Sequence, residues 1–341
     1  MSHRGTTIPS VNSTLRTGLL LLLLPLQSNA ADATPPTVPA VPATPAAAPA
    51  SIGDPELAEI VVQAPEPRYV APTNRDRIGR VWVPVYINEK GPFRLVLDSG
   101  ATRSAVTPKV ANLLELPMDR SPPVLLRGVT GSAIVATVKV DSISVGDLYV
   151  GPSTVPIVAD AFGGADGLLG TDGMRDKRIF IDFRNDFINI SRSRNRRAAA
   201  GFQTVPFLKD DLNLLIVEAA IGNLPVRAII DTGAQASVGN VALQTALRRQ
   251  IARNRLGEDM VTGATGDVQY GVGARVAPIT IGELSIRDAH ITFGDMHIFE
   301  RWKMMDEPAV LIGMDILGLL DTLVIDYKRM ELQIKRRRDI S

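Results

Sequence analysis

Two carboxylic acids of this sequence stand in matching surroundings and could share one proton. Asp98 ends the apolar run of RLVLDSGATRS, and Asp231, 133 residues later, ends that of RAIIDTGAQAS. Two carboxyl groups held close together cannot both ionise freely, so one of them keeps a proton. One carboxyl of such a pair can deprotonate a water molecule while the other protonates a carbonyl oxygen. The pair therefore predicts peptide-bond hydrolysis without a metal, a covalent intermediate or a cofactor.

The repetition of the motif carries this prediction, because a single Asp-Ser-Gly or Asp-Thr-Gly triplet is typical of an ordinary turn. The same spacing of 133 relates three further pairs: Pro92 and Pro225, Ser104 and Ser237, Thr107 and Asn240. Thr107 and Asn240 are good N-cap residues and predict a short helix after each motif. A long repeat with only two copies indicates a duplicated domain.

Each Asp follows a predicted β-hairpin. The predicted strands are residues 81–87, 93–97, 214–221 and 226–230, by run length and turn chemistry. The second strand of each hairpin ends immediately before the Asp, which therefore stands at the start of a loop. Gly100 and Gly233 leave these loops without a side chain at the point where they must approach each other.

A pair of glycine-rich turns follows in both halves. They are Gly128, Val129, Thr130 and Gly131 in the first half, and Gly263, Ala264, Thr265 and Gly266 in the second. Each precedes a β-rich stretch. The turns are ordinary hairpin turns or flaps that close over a ligand, and their presence in both halves favours flaps.

A third matched motif has two apolar residues before a glycine, which lets a strand pass close to another backbone. It reads GLLGTD at 167–172 and VLIGMD at 310–315. The spacing between the halves is eight residues larger here than at the flaps, so the second half carries an insertion near 297–308. This segment is either a loop packed on its own half or a wall of the binding cleft.

Composition excludes several classes of site. The 341 residues contain no cysteine and only three histidines, so a disulfide, a thiolate nucleophile and a Cys metal site are impossible and a His metal site is not expected. Lys and Arg number 37 against 36 Asp and Glu. This balance gives no reason to expect a nucleic-acid partner.

The chain is predicted to begin with an export signal. Residues 1–30 combine arginines, a short apolar core and the small residues Ser28 and Ala30, as a cleavable signal peptide does. Residues 31–76 form a Pro/Ala-rich linker or a pro-segment. An N-terminal lobe (77–192), a basic connector (193–204) and a C-terminal lobe (205–338) complete the predicted organisation. No transmembrane span is expected after signal cleavage.

Together the motifs resemble the retropepsin and pepsin clan of aspartic proteases, in a bacterial arrangement with two retropepsin-like repeats in one chain. The resemblance implies an all-β, bilobal fold: two β-barrel-like lobes related by a pseudo-twofold axis, with short helices. It implies that Asp98 and Asp231 are catalytic, with Ser99, Gly100, Thr232 and Gly233 bracing the dyad. The two glycine-rich turns would be flaps that bind a peptide or protein substrate as an added β-strand.

The expected protein is a periplasmic or secreted aspartic endopeptidase, monomeric because one chain holds both lobes. It needs no metal and no cofactor. Two alternatives stay open: a non-catalytic peptide-binding or scaffolding protein that keeps the fold, and an enzyme whose halves pair between two chains.

Overall fold

The computed structural model describes residues 70–72, 79–118, 120–160, 163–209 and 213–336. The predicted signal peptide and most of the predicted linker lie outside these residues. From Val70 onward, the described residues belong to one compact unit. Within the described part of the chain, no helix combines the length and the apolar character needed to cross a membrane.

The N-terminal half consists almost entirely of short strands. In Trp82–Ile87, buried residues alternate with more exposed ones, which is the period of a half-buried strand. The strands, with one that precedes the half, are β1 (Val70–Pro72), β2 (Trp82–Ile87), β3 (Lys90–Leu97), β4 (Ala105–Val106), β5 (Val124–Arg127), β6 (Ser132–Val135), β7 (Thr137–Val140), β8 (Ile143–Val145), β9 (Leu148–Val150), β10 (Ser153–Pro156), β11 (Gly167–Leu169), β12 (Lys177–Asp182) and β13 (Phe187–Arg192).

The C-terminal half repeats this pattern with longer strands around its flap. They are β14 (Gln203–Pro206), β15 (Leu208–Lys209), β16 (Leu215–Ile221), β17 (Leu224–Ile230), β18 (Val238–Gly239), β19 (Arg255–Thr262), β20 (Val268–Arg275), β21 (Ile279–Ile281), β22 (Leu284–Ile286), β23 (His290–Phe293), β24 (Ala309–Ile312), β25 (Leu320–Asp326) and β26 (Glu331–Arg336). The fold is all-β, as predicted.

Both predicted hairpins before the Asp residues are confirmed as β2–β3 and β16–β17. The first is closed by Asn88 and Glu89, which both have positive φ, at 50° and 62°. Positive φ at both central residues matches the right-handed twist of the flanking strands, so this two-residue turn fixes the register that ends β3 before Asp98.

Helices are few and short: α1 (Pro108–Leu113), α2 (Val241–Ala246), α3 (Arg248–Asn254), α4 (His297–Arg301), α5 (Met314–Leu317) and one 3-10 helix (Met174–Asp176). The helices predicted after Thr107 and Asn240 are α1 and α2. The side chain of Asn240 accepts the N–H of Leu243 at 2.8 Å, as an N-cap does. Thr107 precedes α1 without such a bond, because its hydroxyl donates to the carbonyl oxygen of Asp166 instead.

The same arrangement of three paired strands forms the centre of each half. In the first, β11 lies parallel to β3 and antiparallel to β4; in the second, β24 lies parallel to β17 and antiparallel to β18. The parallel neighbours carry the apolar-apolar-Gly motif, so this motif passes directly beside the strand that ends at each Asp.

A third sheet joins the halves, in the strand order β1-β13-β12-β25-β26-β14. β12 of the first half pairs antiparallel with β25 of the second, and Ile181 lies opposite Leu323 in this register. Both side chains are buried in one hydrophobic core that extends through both halves. The shared sheet fixes the two halves relative to each other and therefore fixes the two Asp loops.

Candidate active site

Asp98 and Asp231 occupy equivalent positions at the strand ends. Each is the first residue after its strand, β3 or β17. The backbone N–H of Asp98 donates to the carbonyl oxygen of Leu169 at 2.9 Å, and that of Asp231 donates to Ile312 at 3.0 Å. The apolar-apolar-Gly strand thus anchors the backbone of each Asp in the same way.

The structure brings the two Asp loops into direct contact. Each carboxyl is oriented by its own loop: Gly100 N–H donates to Oδ1 of Asp98 at 2.9 Å, and Gly233 N–H donates to Oδ1 of Asp231 at 2.8 Å. Each carboxyl also lies against the glycine of the other loop. A Cβ on Gly100 would lie 2.5 Å from Oδ2 of Asp231, and one on Gly233 would overlap with the carboxyl of Asp98. Only glycine fits at either position.

Ser99 and Thr232 hold the loops together through four reciprocal hydrogen bonds. Ser99 N–H donates to Oγ1 of Thr232, and Thr232 N–H donates to Oγ of Ser99, both at 3.1 Å. The Ser99 hydroxyl donates to the carbonyl oxygen of Ile230 and the Thr232 hydroxyl to that of Leu97, both at 2.8 Å. Both residues are buried, so these bonds fix the loops without competition from water.

Burial raises the pKa of both carboxyls above the ordinary value for Asp. Burial is the largest cause for Asp98, whose pKa lies well above that value, and the negative charge of Asp231 is the second. Burial is also the largest cause for Asp231. Backbone N–H donors after each Asp act in the opposite direction. The pair therefore retains one proton at a higher pH than a solvated carboxyl does.

A second symmetric pair supports the loops from behind. Ser104 and Ser237 donate through N–H and hydroxyl to Asp172 and Asp315, at 2.7 to 3.0 Å. The two serine hydroxyls also accept the N–H of the motif glycines at 3.1 and 3.0 Å. The sequence predictions assigned no role to these two acids. The signal was present, since both close the apolar-apolar-Gly motif and both serines obey the spacing of 133.

The two predicted flaps are hairpins whose tips touch. Strands β5 and β6 carry residues 128–131, and β19 and β20 carry residues 263–267. The hydroxyl of Thr130 donates to the carbonyl oxygen of Asp267 at 2.8 Å, and Gly128 lies beside the backbone of Ala264 and Thr265. Of the four flap glycines, only Gly266 has a positive φ, at 84°. Close approach of the tips leaves no room for a Cβ at Gly131 and Gly263, and turn geometry accounts for Gly266.

Each flap tip packs on the opposite half of the molecule. Val129 packs against a hydrophobic cluster of the C-terminal half that also contacts Ala234. Ala264 packs against a cluster of the N-terminal half that also contacts Ala101. Since these alanines lie three residues after Asp231 and Asp98, the crossed tips close the molecule beside the two Asp loops.

The insertion of the second half packs on its own half, which is one of the two structures predicted for it, and it also contacts the opposite flap. Phe299, Trp302 and Met304 are buried in the cluster of the C-terminal half, as a packed loop would be. Helix α4 at its start also contacts the opposite flap: Ile298 N–H donates to the carbonyl oxygen of Val129 at 3.2 Å. The segment therefore packs on its own half and borders the flap.

Metal-binding groups are sparse in the described residues, where no three His, Asp or Glu side chains form a cluster that could hold an ion. His290 lies on β23 with Nε2 2.6 Å from Oδ2 of Asp259, and His297 lies on α4. Two surface cavities of about 460 and 640 Å³ are lined by neither Asp98 nor Asp231. The candidate site is therefore the carboxyl pair with the closed flaps beside it.

Comparison with known families agrees with this geometry. The aspartyl protease family model matches residues 83–172 and again residues 217–316, together more than half of the chain. A search of curated proteins returned no match. Each matched region contains one Asp motif, one flap and one apolar-apolar-Gly motif, so the family matches both repeats of this chain. The chain therefore belongs to the aspartyl protease family and carries two retropepsin-like repeats.

Proposed function

We propose that this protease is an aspartic endopeptidase in which Asp98 and Asp231 activate a water molecule between them. The observation that carries the proposal is the carboxyl pair itself: two acids from opposite halves, held against each other, with raised pKa values. A raised pKa in a structurally fixed carboxyl pair is typical of acid–base catalysis near neutral pH.

The reaction needs one proton on the pair. The ionised carboxyl takes a proton from water as the oxygen attacks the scissile carbonyl carbon, while the protonated carboxyl gives its proton to the carbonyl oxygen. A tetrahedral gem-diol results. The carboxyl that took the water proton then gives it to the amide nitrogen, while the other carboxylate takes a proton from a hydroxyl of the gem-diol. The C–N bond breaks, an amine and a carboxylic acid leave, and the pair again holds one proton.

The substrate is a peptide or protein segment in extended form. Flap residues 128–131 and 263–266 would offer backbone N–H and C=O groups to both edges of such a strand. Substrate would displace the tip of the C-terminal flap from the cluster beside Ala101, so peptides with apolar side chains near the scissile bond fit best.

The compartment follows from residues outside the described part of the chain. We place the protein in the periplasm or outside the cell because residues 18–26 form a short apolar core ahead of Ser28 and Ala30. Expression in a bacterial host tests this: the secreted form should begin just after Ala30, and a variant without residues 1–30 should remain in the cytoplasm. An exported protein that keeps its first 30 residues would contradict the signal assignment.

A non-catalytic peptide-binding or scaffolding protein that keeps the fold is the alternative, and in this structure the flap tips are closed on each other through Thr130 and Asp267. Incubation with a peptide library distinguishes the two functions. The wild type should release fragments whose new termini share a cleavage preference. The double variant Asp98→Asn/Asp231→Asn should bind the same peptides and leave them intact, and Asp141→Asn, an exposed acid, should behave as the wild type. Binding without cleavage by the wild type would support the alternative.

A further inference from the structure

Helix α4 of the C-terminal half begins directly against the tip of the N-terminal flap. Ile298 N–H donates to the carbonyl oxygen of Val129 at 3.2 Å. Nε2 of His297 lies 2.7 Å from Oγ of Ser132, the first residue of β6. Val129 also packs against the cluster to which Ile298 belongs. Two hydrogen bonds and one apolar contact therefore dock this flap on the other half.

The start of α4 has a donor that its own helix cannot satisfy. The first N–H groups of a helix have no partner inside the helix, and Met296, at the N-cap, provides no side-chain bond. The N–H of Ile298 therefore donates to the carbonyl oxygen of Val129 on the flap. Nδ1 of His297 lies 3.7 Å from Oε2 of Glu300, three residues further on, and Nε2 of the same ring faces the flap.

The two flaps are not docked equally. The insertion that contains α4 has no counterpart in the first half. In the part of the chain that the structure describes, the tip of the C-terminal flap receives a hydrogen bond from the other half only through Thr130 of the opposite tip. Its other contacts with the N-terminal half are the packing of Ala264 and the close approach of the opposite tip at Gly128 and Gly131. The N-terminal flap thus has a fixed partner on the body of the other half, and the C-terminal flap does not.

We propose that His297 is a positioning residue that docks the N-terminal flap on α4, so that substrate enters by movement of the C-terminal flap. The proposal rests on the peptidase function proposed above. A flap already held in place loses less freedom when a peptide binds, so docking favours substrate binding. While docked, the carbonyl of Val129 is bonded to Ile298, and the substrate strand must pair with other atoms of this tip.

Hydrogen–deuterium exchange of the full chain without substrate tests the docking. In the wild type, amides of the docked tip (residues 128–132) should exchange more slowly than those of the opposite tip (residues 263–267), a comparison that leaves out the strand β20, which also pairs with β23. His297→Ala and Ser132→Ala should each accelerate amide exchange in residues 124–135. Because both substitutions remove the same hydrogen bond, exchange in the double variant should be no faster than in either single variant. His297→Gln should stay close to the wild type because its amide can still bond the Ser132 hydroxyl. Arg301→Ala, exposed on the same helix, is the matched control.

Two outcomes would overturn the proposal: equal exchange at both flap tips of the wild type, or unchanged exchange of 124–135 in Ser132→Ala. If His297→Ala loosens the whole C-terminal half, Ser132→Ala decides, since it removes the same bond from the flap side. Because amide exchange is measured without catalytic turnover, this experiment tests the docking of the flap separately from the proposed catalytic role of Asp98 and Asp231.

Kinetics separate positioning from a merely structural role. His297→Ala should raise KM about 3- to 10-fold, the scale of one hydrogen bond, with kcat retained or increased. His297→Gln should restore KM. A fall in kcat with KM unchanged would contradict a role in docking.

Discussion

The residues after each Asp control how tightly the pair holds its shared proton. Ala101 and Ala234 provide only backbone N–H groups toward the carboxyls, such as the Ala234 N–H at 3.2 Å from Oδ1 of Asp231. A hydroxyl at either position could donate a further bond to the ionised form and lower the pKa. Without it, burial dominates and the pKa of both acids is raised.

The pH profile of kcat/KM should reflect these raised pKa values. The active form holds one proton on the pair, and raising both pKa values moves the pH window of that form upward. We expect wild-type activity to persist from mildly acidic to near-neutral pH. Ala101→Thr and Ala234→Thr should shift the profile to lower pH, while Ala101→Val, equal in shape but without a hydroxyl, should not.

Two results of this pH titration would contradict the argument from raised pKa values. One is a wild-type optimum confined to strongly acidic pH, and the other is a profile that moves to higher pH in the threonine variants.

Sequence reasoning was strongest where the repeat places the same residue types at the same spacing. Asp98 and Asp231 were found because local motifs and the interval of 133 agree. Asp172 and Asp315 were not assigned, because an acid after a glycine is an ordinary turn residue until Ser104 and Ser237 are known to reach it through the fold.

Among the structural elements, the brace between the Asp loops contributes to the stability of both halves. The Thr232 hydroxyl accepts from Ser99 N–H and donates to the carbonyl oxygen of Leu97, all in a buried position. Removing it leaves two buried backbone groups without their partner. The loops and the strands behind them should then lose part of their shared stability.

Thr232→Ala should lower the free energy of unfolding by about 1–3 kcal/mol, the cost of unpaired buried polar groups. Thr232→Ser keeps the hydroxyl and should recover most of this loss. Urea unfolding of the three proteins, with equal m-values, makes the comparison. If Thr232→Ser and Thr232→Ala were equally destabilised, methyl packing rather than the brace would explain the effect.

Hairpins were predictable from sequence because their turns are local, and the flaps and the hairpins before each Asp formed where expected. The contact between flap tips was not predictable, because it joins residues more than 130 positions apart. The insertion was located by spacing, yet its double role depends on where α4 meets Val129. Thr107 was expected to cap α1, but its hydroxyl donates instead to the distant carbonyl oxygen of Asp166, a contact that local sequence does not reveal.

At the scale of the molecule, one sheet makes both halves a single structure. β12 and β25 pair across the halves, and the hydrophobic core continues through both. Composition and motifs predicted two lobes in one chain, but this sheet needed strand pairings that sequence spacing does not reveal. With the halves joined in this way, each chain contains one complete carboxyl pair.

Mixing inactive variants tests whether the pair forms within one chain. Equal amounts of Asp98→Asn and Asp231→Asn should remain inactive together, because every chain then lacks one carboxyl of its own pair. Specific activity of the wild type should also stay constant on dilution. Recovery of activity in the mixture, toward about a quarter of wild type for random exchange of halves, would indicate pairing between chains.

The shared-proton mechanism requires one carboxyl from each half, so kcat of the two single variants should be measured on one peptide. Asp98→Asn and Asp231→Asn should each reduce kcat at least about 10³-fold, with unfolding curves that keep the wild-type m-value to show an intact fold. Asp141→Asn should retain wild-type turnover. Near wild-type kcat in either single variant would contradict the shared-proton mechanism.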